Sequence, residues 1–419
     1  MAGLPASRPR RGLGLTRNVI LLSAASFLTD ISSEMSLTFL PFFLANVLGA
    51  RTCVIGMVEG VADSAASLTR LLSGWLSDVW QRRKPLVMAG YAISAVSKPF
   101  LYFVQSWTAV LGVRFADRLG KGIRTSPRDA LLAASAPAES RGLAFGFHRG
   151  ADTAGAFLGL LGIALVIYLS QGWNQQLQET AFRRLVLIAV VPALLAVVVL
   201  AALRETPPAP AEVHLIRKQA GPLSRRFKLF LASAALFSLA NSSDAFLLLR
   251  AQNLGLSVLG VALLLAAFNL GYSVIAPLAG RASDRLGRPA LVGAGWVVYA
   301  LTYLGFGLAT EAWQVWPLFA LYAVYYGLAE GTARALVADL VPDAQRGTAY
   351  GLYHTVVGIA ALPASLLAGL VWQGIGDWGG WGPTAPFLLG AVFAAAATAL
   401  FAVAMRGFRP AAQREGETS

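Results

Sequence analysis

Cysteine is almost missing: Cys53 is the single one in 419 residues, so no internal disulfide framework and no cysteine metal cluster can exist. Histidine is scarce as well, with only His148, His214 and His354. Charged residues make up 13% where about 25% is usual for soluble domains. What charge there is leans basic, with 34 Lys and Arg against 21 Asp and Glu and a net charge of +13. The bases sit in short runs between hydrophobic segments rather than along one soluble surface, so they read as membrane topology signals and no nucleic-acid partner is expected. In place of the missing polarity there is apolar sequence: 56% hydrophobic residues and a mean hydropathy of +0.62. A soluble core of this size does not need so much.

Apolar runs of spanning length fall at roughly 18–44, 54–76, 85–105, 108–133, 142–169, 182–203, 227–250, 257–280, 289–308, 312–336, 347–372 and 384–406. The expected fold is an all-α membrane protein of twelve transmembrane helices in two pseudo-symmetric bundles of six. Arg8, Arg10, Arg11 and Arg17 precede the first run without a cleavage pattern, which predicts a retained first helix and no signal peptide. Basic connections occur at every second gap, from Arg82-Arg83-Lys84 to Arg406, Arg409 and Arg414. By the positive-inside rule these connections and both termini are cytoplasmic. The longest connection holds Pro207, Pro208, Pro210 and the pair Arg217-Lys218, dividing the chain into an N-terminal bundle (1–203), a cytoplasmic linker (204–226) and a C-terminal bundle (227–419).

Internal repeats relate the halves. Gly74-x-x-x-Asp78 recurs as Gly280-x-x-x-Asp284, Trp107 as Trp313 and Arg128 as Arg334, all at an offset of 206. Arg141-Gly142-x-Ala144-Phe145-Gly146 recurs as Arg346-Gly347-x-Ala349-Tyr350-Gly351, and Ser32-Ser33-Glu34 as Ser242-Ser243-Asp244. Duplicated bundles of this kind place substrate between the halves near the midplane and alternate access by rocking.

Gly74-Trp75-Leu76-Ser77-Asp78 with Arg82-Arg83-Lys84 resembles the loop signature of the major facilitator superfamily, and the segment Gly280 to Arg288 repeats it. The first copy departs from the pattern at Val79 and Gln81. Arg114 to Gly122 resembles the fourth-helix signature of proton-coupled members. The resemblance spans essentially the whole chain and points to the drug/proton antiporter, or efflux, branch. In the fifth span Gly155, Gly159 and Gly162 match the exporter glycine pattern, but Leu160 and Ile163 replace its proline and last glycine. The close-packing role of the small residues survives there, while the exporter assignment is weakened.

The fourth span carries Arg114, Asp117, Arg118, Lys121, Arg124, Arg128 and Asp129, recurring every three or four residues on one helical stripe. Facing lipid, they would cost roughly 17–25 kcal/mol, so the stripe must face protein or water. Asp30 and Glu34, one turn apart in the first span, are expected to face Arg114 and Arg118, as the resemblance also implies. Two carboxyls that close repel, and a carboxyl that alternates between neutral and charged is what proton coupling needs. Permanent ion pairing with Arg114 and Arg118 is the alternative. Glu59 and Asp63 follow in the second span, and Arg124 and Arg128 are expected to meet Asp152 of the fifth.

The expected machinery is therefore Asp30, Glu34 and Arg114 for proton coupling. Substrate contacts are expected from Arg118, Lys121, Arg124, Arg128, His148, Arg149, Asp152, Asp244, Tyr325 and Tyr326, and gating from Asp78, Arg82, Asp284 and Arg288. The C-terminal bundle is barer in charge and offers the aromatic residues Phe268, Tyr322, Tyr325, Tyr326 and Tyr353 as a wall. The function expected is proton-coupled secondary active transport, exporting a small amphipathic or anionic organic compound. An organic-anion importer or symporter shares the same features, and a divalent-metal exporter using Asp30, Glu34 and His148 is a further alternative, disfavoured by the many nearby arginines. No nucleophile–base pair marks an enzyme, and no cofactor is expected. Small-molecule substrate, protons and membrane lipids are the expected partners of a monomer in a bacterial inner (cell) membrane.

Overall fold

A computed structural model describes residues 15–80, 82–135, 141–205, 223–341, 346–375 and 377–407. Twelve long helices account for them. The first half holds α1 (Arg17–Leu37), α2 (Thr52–Trp80), α3 (Lys84–Ser97), α4 (Trp107–Ser135), α5 (Arg141–Gln171) and α6 (Glu179–Ala201). The second holds α7 (Arg225–Ala240, resuming over Ala245–Asn253), α8 (Val258–Leu286), α9 (Arg288–Leu308), α10 (Val315–Leu340), α11 (Arg346–Gln373) and α12 (Ala385–Ala404). The linker expected at 204–226 falls largely outside the described residues.

Two spans are less regular than the apolar pattern predicts. α1 stops at Leu37 and continues as a short helix at Leu40–Phe42 and a π-helical turn at Phe43–Val47, with Pro41 at the restart. The span expected at 227–250 is broken at Asn241-Ser242-Ser243-Asp244, a run of side chains that compete with the backbone for hydrogen bonds. Seven helices among the described residues are long and apolar enough to cross a membrane by composition alone. Among the others, α3 is only 14 residues long, and α2 and α4 carry charged residues that face inward. Large apolar side chains such as Leu169 of α5, Val198 of α6, Leu270 of α8 and Val392 of α12 are more than half exposed on the outer faces, as lipid contact requires.

The halves repeat each other in packing. α1 packs on α5 and α6, α2 on α4, and α3 on α4 and α6; in the second half α7 packs on α11 and α12, α8 on α10, and α9 on α10 and α12. The repeat extends to single hydrogen bonds. Arg83 donates to the Ala130 carbonyl at 3.1 Å, and Arg288 to the Ala335 carbonyl at 2.9 Å, each 47 residues further along. Ser77 donates to the Gly74 carbonyl at 2.9 Å and Ser283 to that of Gly280 at 2.7 Å. The duplicated loop signature is thus a duplicated hydrogen-bonding unit.

Between the halves, α2 packs on α11 and α5 on α8. The α2–α11 seam brings backbone against backbone at Gly56, Gly60 and Gly369, and backbone against the Ser67 side chain at Gly358. A Cβ added at Gly60 would stand 2.8 Å from Leu362 Cα, and one at Gly369 would stand 2.6 Å from the Thr52 carbonyl oxygen. Gly56 and Gly358 meet Ser365 and Ser67 as closely. Thr52 donates to the Gly369 carbonyl at 3.1 Å and Ser64 to that of Gly358 at 3.0 Å. At the end of the bundle away from the termini the seam is finished by polar links: Asn46 to Gln252 at 3.2 Å, and Gln252 to the Gln175 carbonyl at 2.7 Å.

Candidate central cavity between the halves

α4 brings the charged stripe to the interior because two glycines let it approach its neighbours at backbone distance. A Cβ at Gly120 would lie 2.6 Å from the Gly90 carbonyl oxygen on α3, and one at Gly122 would lie 2.7 Å from that of Ala66 on α2. That double contact sets the rotation of α4 and hence where each base points. Arg114 donates to Glu59 at 2.6 Å, with both side chains 5% exposed. Arg118 lies 3.4 Å from Asp63. The upper stripe therefore pairs with α2, and the alternative of permanent ion pairs between Arg114 or Arg118 and the acids of α1 is not formed among the described residues.

Lower down, Arg124 stacks over the Tyr91 ring at 4.2 Å, and Arg128 pairs with Asp129 at 2.9 Å and reaches Ser26 at 3.4 Å. The expected pairing of Arg124 and Arg128 with Asp152 gives way to these nearer partners on α3, α4 and α1. Asp152 instead has His148 at 3.8 Å and Arg149 at 4.0 Å, both one turn away on α5.

Asp30 and Glu34 are held by α5. A Cβ at Gly159 would stand 2.7 Å from Glu34 Cβ, and Gly155 abuts the backbone of Phe27, so the small residues of α5 make room for the acidic face of α1. Among the described residues neither carboxylate has a base within 4.0 Å. Glu34 accepts from the Thr38 hydroxyl at 2.5 Å. Both acids open into a polar chamber of about 230 Å³ shared with Asp117, Arg118, Lys121 and Arg124. Behind it, fully buried Lys98 donates to the Ser32 and Ser33 hydroxyls at 2.9 Å each, and Asp117 accepts from Ser94. Lys98, a membrane base by sequence, was not among the expected site residues. A lysine inside an apolar span was the available signal.

The chamber joins a central cavity of about 490 Å³ through shared walls at Glu34, Thr38, Arg114 and Arg118. Glu59 and Asp63 complete the first-half wall; the second half contributes Asn241, Ser242, Ser243, Asp244, Phe268, Asn269 and Tyr326. The break in α7 is what presents Asp244 to this space. Its carboxylate accepts from the Tyr322 hydroxyl at 2.6 Å and from the Tyr326 hydroxyl at 3.4 Å. Phe268, Tyr322 and Tyr326 of the expected aromatic wall gather around it, with ring centroids 5.6 Å apart for Phe268 and Tyr322 and 5.0 Å apart for Tyr322 and Tyr326, whereas Tyr353 stacks on Phe230 at 5.8 Å. Tyr326 lines the cavity, whereas Tyr325 is 8% exposed and packs inside the cluster against Phe237, Tyr299 and Tyr322.

Near the end that carries the termini, Arg149 of α5 lies 3.9 Å from Glu330 of α10. Glu330 also takes Tyr272 at 2.8 Å and Arg334 at 2.6 Å, giving a polar cluster that joins the halves and was not expected. Of the expected gating residues, Arg288 pairs with Asp339 at 2.5 Å, and Arg82 is exposed. Asp78 and Asp284 stand near the ends of α2 and α8, but their side chains lie outside the described residues. Arg250 caps α9, donating to the Phe306 and Ala309 carbonyls at 3.1 and 2.7 Å.

Comparison with known proteins bears on the whole chain. The family model of the Major Facilitator Superfamily matches residues 22–249 and again 229–419. An uncharacterized MFS-type transporter of Methanocaldococcus jannaschii is 35% identical over 388 residues, 91% of this chain and 93% of that protein. An uncharacterized protein of Mycobacterium tuberculosis is 26% identical over 382 residues, 89% of this chain and 90% of its own. Among solved structures, a bacterial homolog of the human lysosomal transporter Spinster, inward-facing and unoccupied, superposes with a TM-score of 0.73 at 17% identity, covering 96% of this chain and 98% of that one. A POT family transporter in complex with 5-aminolevulinic acid gives 0.77 at 13% identity, over 94% and 97%. At those identities the likeness is one of fold.

Proposed function

The chain belongs to the major facilitator superfamily of membrane transporters, and on that premise we propose a proton-coupled carrier that exports a small amphipathic or anionic organic compound by alternating access. The observation that carries the reading is the pair Asp30 and Glu34, without a base within 4.0 Å among the described residues yet facing a chamber lined by Arg118, Lys121 and Arg124. A proton on either acid would change the balance of charge around those bases and so their hold on an anionic group. Arg114, engaged by Glu59, takes the role of an anchor that fixes α4 against α2, and couples to the acids through the shared chamber wall.

In this reading the N-terminal bundle (1–203) handles protons and charge, the C-terminal bundle (227–419) supplies the aromatic wall, and the linker 204–226 joins them on the cytoplasmic side. Arg149 with Glu330 latches the two halves at the end bearing the termini, while Arg288 with Asp339 braces α9 against α10 within the second half. The carrier sits in a bacterial cell membrane as a monomer with both termini cytoplasmic. Import of an organic anion is the second reading, favoured by Leu160 standing where exporters carry proline.

Transport in proteoliposomes under an imposed pH gradient tests it, following lumenal pH while organic anions, amphipathic compounds and divalent metals are added in turn. Proton movement triggered by one organic class supports the proposal, and its sign fixes direction. Proton flux driven only by metals, or substrate flux indifferent to the gradient, would overturn it.

A further inference from the structure

At the end of the bundle away from the termini the halves are joined reciprocally. α2 begins at Thr52 and α8 at Val258, positions that stand at the 206-residue offset of the internal repeat. The first N–H groups of a helix have no partner inside it. In each half the other half supplies one. Thr52 N–H donates to Gln373 Oε1 at 2.8 Å, and Val258 N–H donates to the Asn174 carbonyl at 3.3 Å. Both acceptors lie where the fifth helix of a half ends, at the matching pairs Gln171-Gly172 and Gln373-Gly374, whose glycines have φ of +62° and +71°. Arg51 adds a bond to the Gln373 carbonyl at 3.0 Å.

A second pair of equivalents meets directly. Asn46 and Gln252 precede the repeated Leu48-Gly49 and Leu254-Gly255 at the same offset, and their amides bond both ways. Asn46 Nδ2 donates to Gln252 Oε1 at 3.2 Å, and Gln252 Nε2 to Asn46 Oδ1 at 2.8 Å. Equivalent positions can touch only at the axis that relates the halves, so this pair marks that axis. The same two amides hold the α5–α6 loop, through the Leu177 N–H at 3.0 Å and the Gln175 carbonyl at 2.7 Å. Among the described residues no carboxylate takes part in these bonds, whereas at the opposite end the halves meet through charge, with Arg149 3.9 Å from Glu330.

We propose that these contacts form one reciprocal clasp, that it is the closed gate on the side away from the termini, and that the central cavity opens to that side only when the Asn46–Gln252 pair and the two helix starts part together. This rests on the alternating-access reading above. The repeat relates the contacts to one another, so rocking of one half against the other strains them as a unit. The clasp carries no group that titrates near neutral pH, unlike the charged cluster at the other end.

Spin labels measure the gate without substrate. In full-length protein with Cys53→Ser, the changes Gln105→Cys and Thr310→Cys put labels on exposed connections of opposite halves at that end, and double electron–electron resonance gives their separation. The parent is expected to show one dominant short distance. Asn46→Ala with Gln252→Ala should populate a longer one, raising the open-to-closed ratio about tenfold, as the loss of a net hydrogen bond or two allows. Gln373→Ala removes one helix-start contact from the other side and should act in the same direction, which keeps the test decisive if the double variant does not fold. Arg149→Ala, at the far end, should bring no lengthening. A distribution unmoved by the clasp variants, a long distance dominant in the parent, or equal lengthening by Arg149→Ala overturns the proposal. Absence of proton-driven flux in liposomes would strike the transport reading alone, because these distances need no gradient.

Discussion

Arg114 Nη2 and Glu59 Oε2 are 2.6 Å apart, and both side chains are 5% exposed, so α4 is tied to α2 by a buried ion pair at the cavity wall. Removing one partner leaves the other charge buried and uncompensated, a loss of roughly 3–5 kcal/mol. Glu59→Gln and Arg114→Ala should each lower stability by that order, whereas Glu59→Gln combined with Arg114→Met should recover much of it. Thermal unfolding followed by fluorescence size exclusion in detergent separates these outcomes. Single variants as stable as the parent would mean the pair is not closed in the protein.

Asp30 and Glu34 lead to a different expectation. Because neither is within 4.0 Å of a base among the described residues, Asp30→Asn and Glu34→Gln should fold with near-parental stability. Each should abolish the response of transport to an imposed pH gradient while substrate counterflow persists. Unaltered gradient dependence in both variants would return these acids to a structural role.

The α2–α11 seam can be probed through the protein's own cysteine. A Cβ at Gly369 would stand 2.5 Å from Cys53 Cα, so Gly369→Val cannot keep the seam closed. Maleimide labelling of Cys53 should rise several-fold in Gly369→Val, and transport should fall with it. Parental labelling would show that the helices tolerate the added bulk in place.

Arg83 and Arg288 make equivalent hydrogen bonds to Ala130 and Ala335, but Arg288 also meets Asp339 at 2.5 Å. Truncation to alanine should cost about 1–2 kcal/mol for Arg83 and somewhat more for Arg288, since charged hydrogen bonds contribute about 1.5–3 kcal/mol. Lying in different halves, the two losses should add within about 0.5 kcal/mol in the double variant. A chemical denaturation series on the three proteins measures it; strong coupling would mean the two units do not act separately.

The fold was legible in the sequence because lipid demands long apolar helices and because duplication left in-register copies such as Gly74 and Gly280. The stripe on α4 was legible for the same reason, since seven charges have few places to go. Partner choice was not. Whether Arg114 meets Glu34 or Glu59 depends on the rotation of α4, which is set by the contacts of Gly120 and Gly122 with other helices, and helical spacing holds no record of that. Tyr325 and Tyr326 are adjacent, so one had to turn away from the cavity, and only packing with Phe237 and Tyr299 decides which. The break in α7 did leave a trace, in four successive polar residues from Asn241 to Asp244 inside an apolar span.

The glycine-to-backbone contacts between α2 and α11 bear on reversibility. Zipping two helices through long side chains would freeze rotamers at up to about 2 kcal/mol each, all of it released again on opening. Gly56, Gly60, Gly358 and Gly369 have no rotamers to freeze. Dispersion then favours the closed seam with little ordering entropy set against it, and lipid solvating the parted faces offers comparable contact. The two arrangements can thus lie close in free energy, which lets ligand or proton binding of a few kcal/mol choose between them.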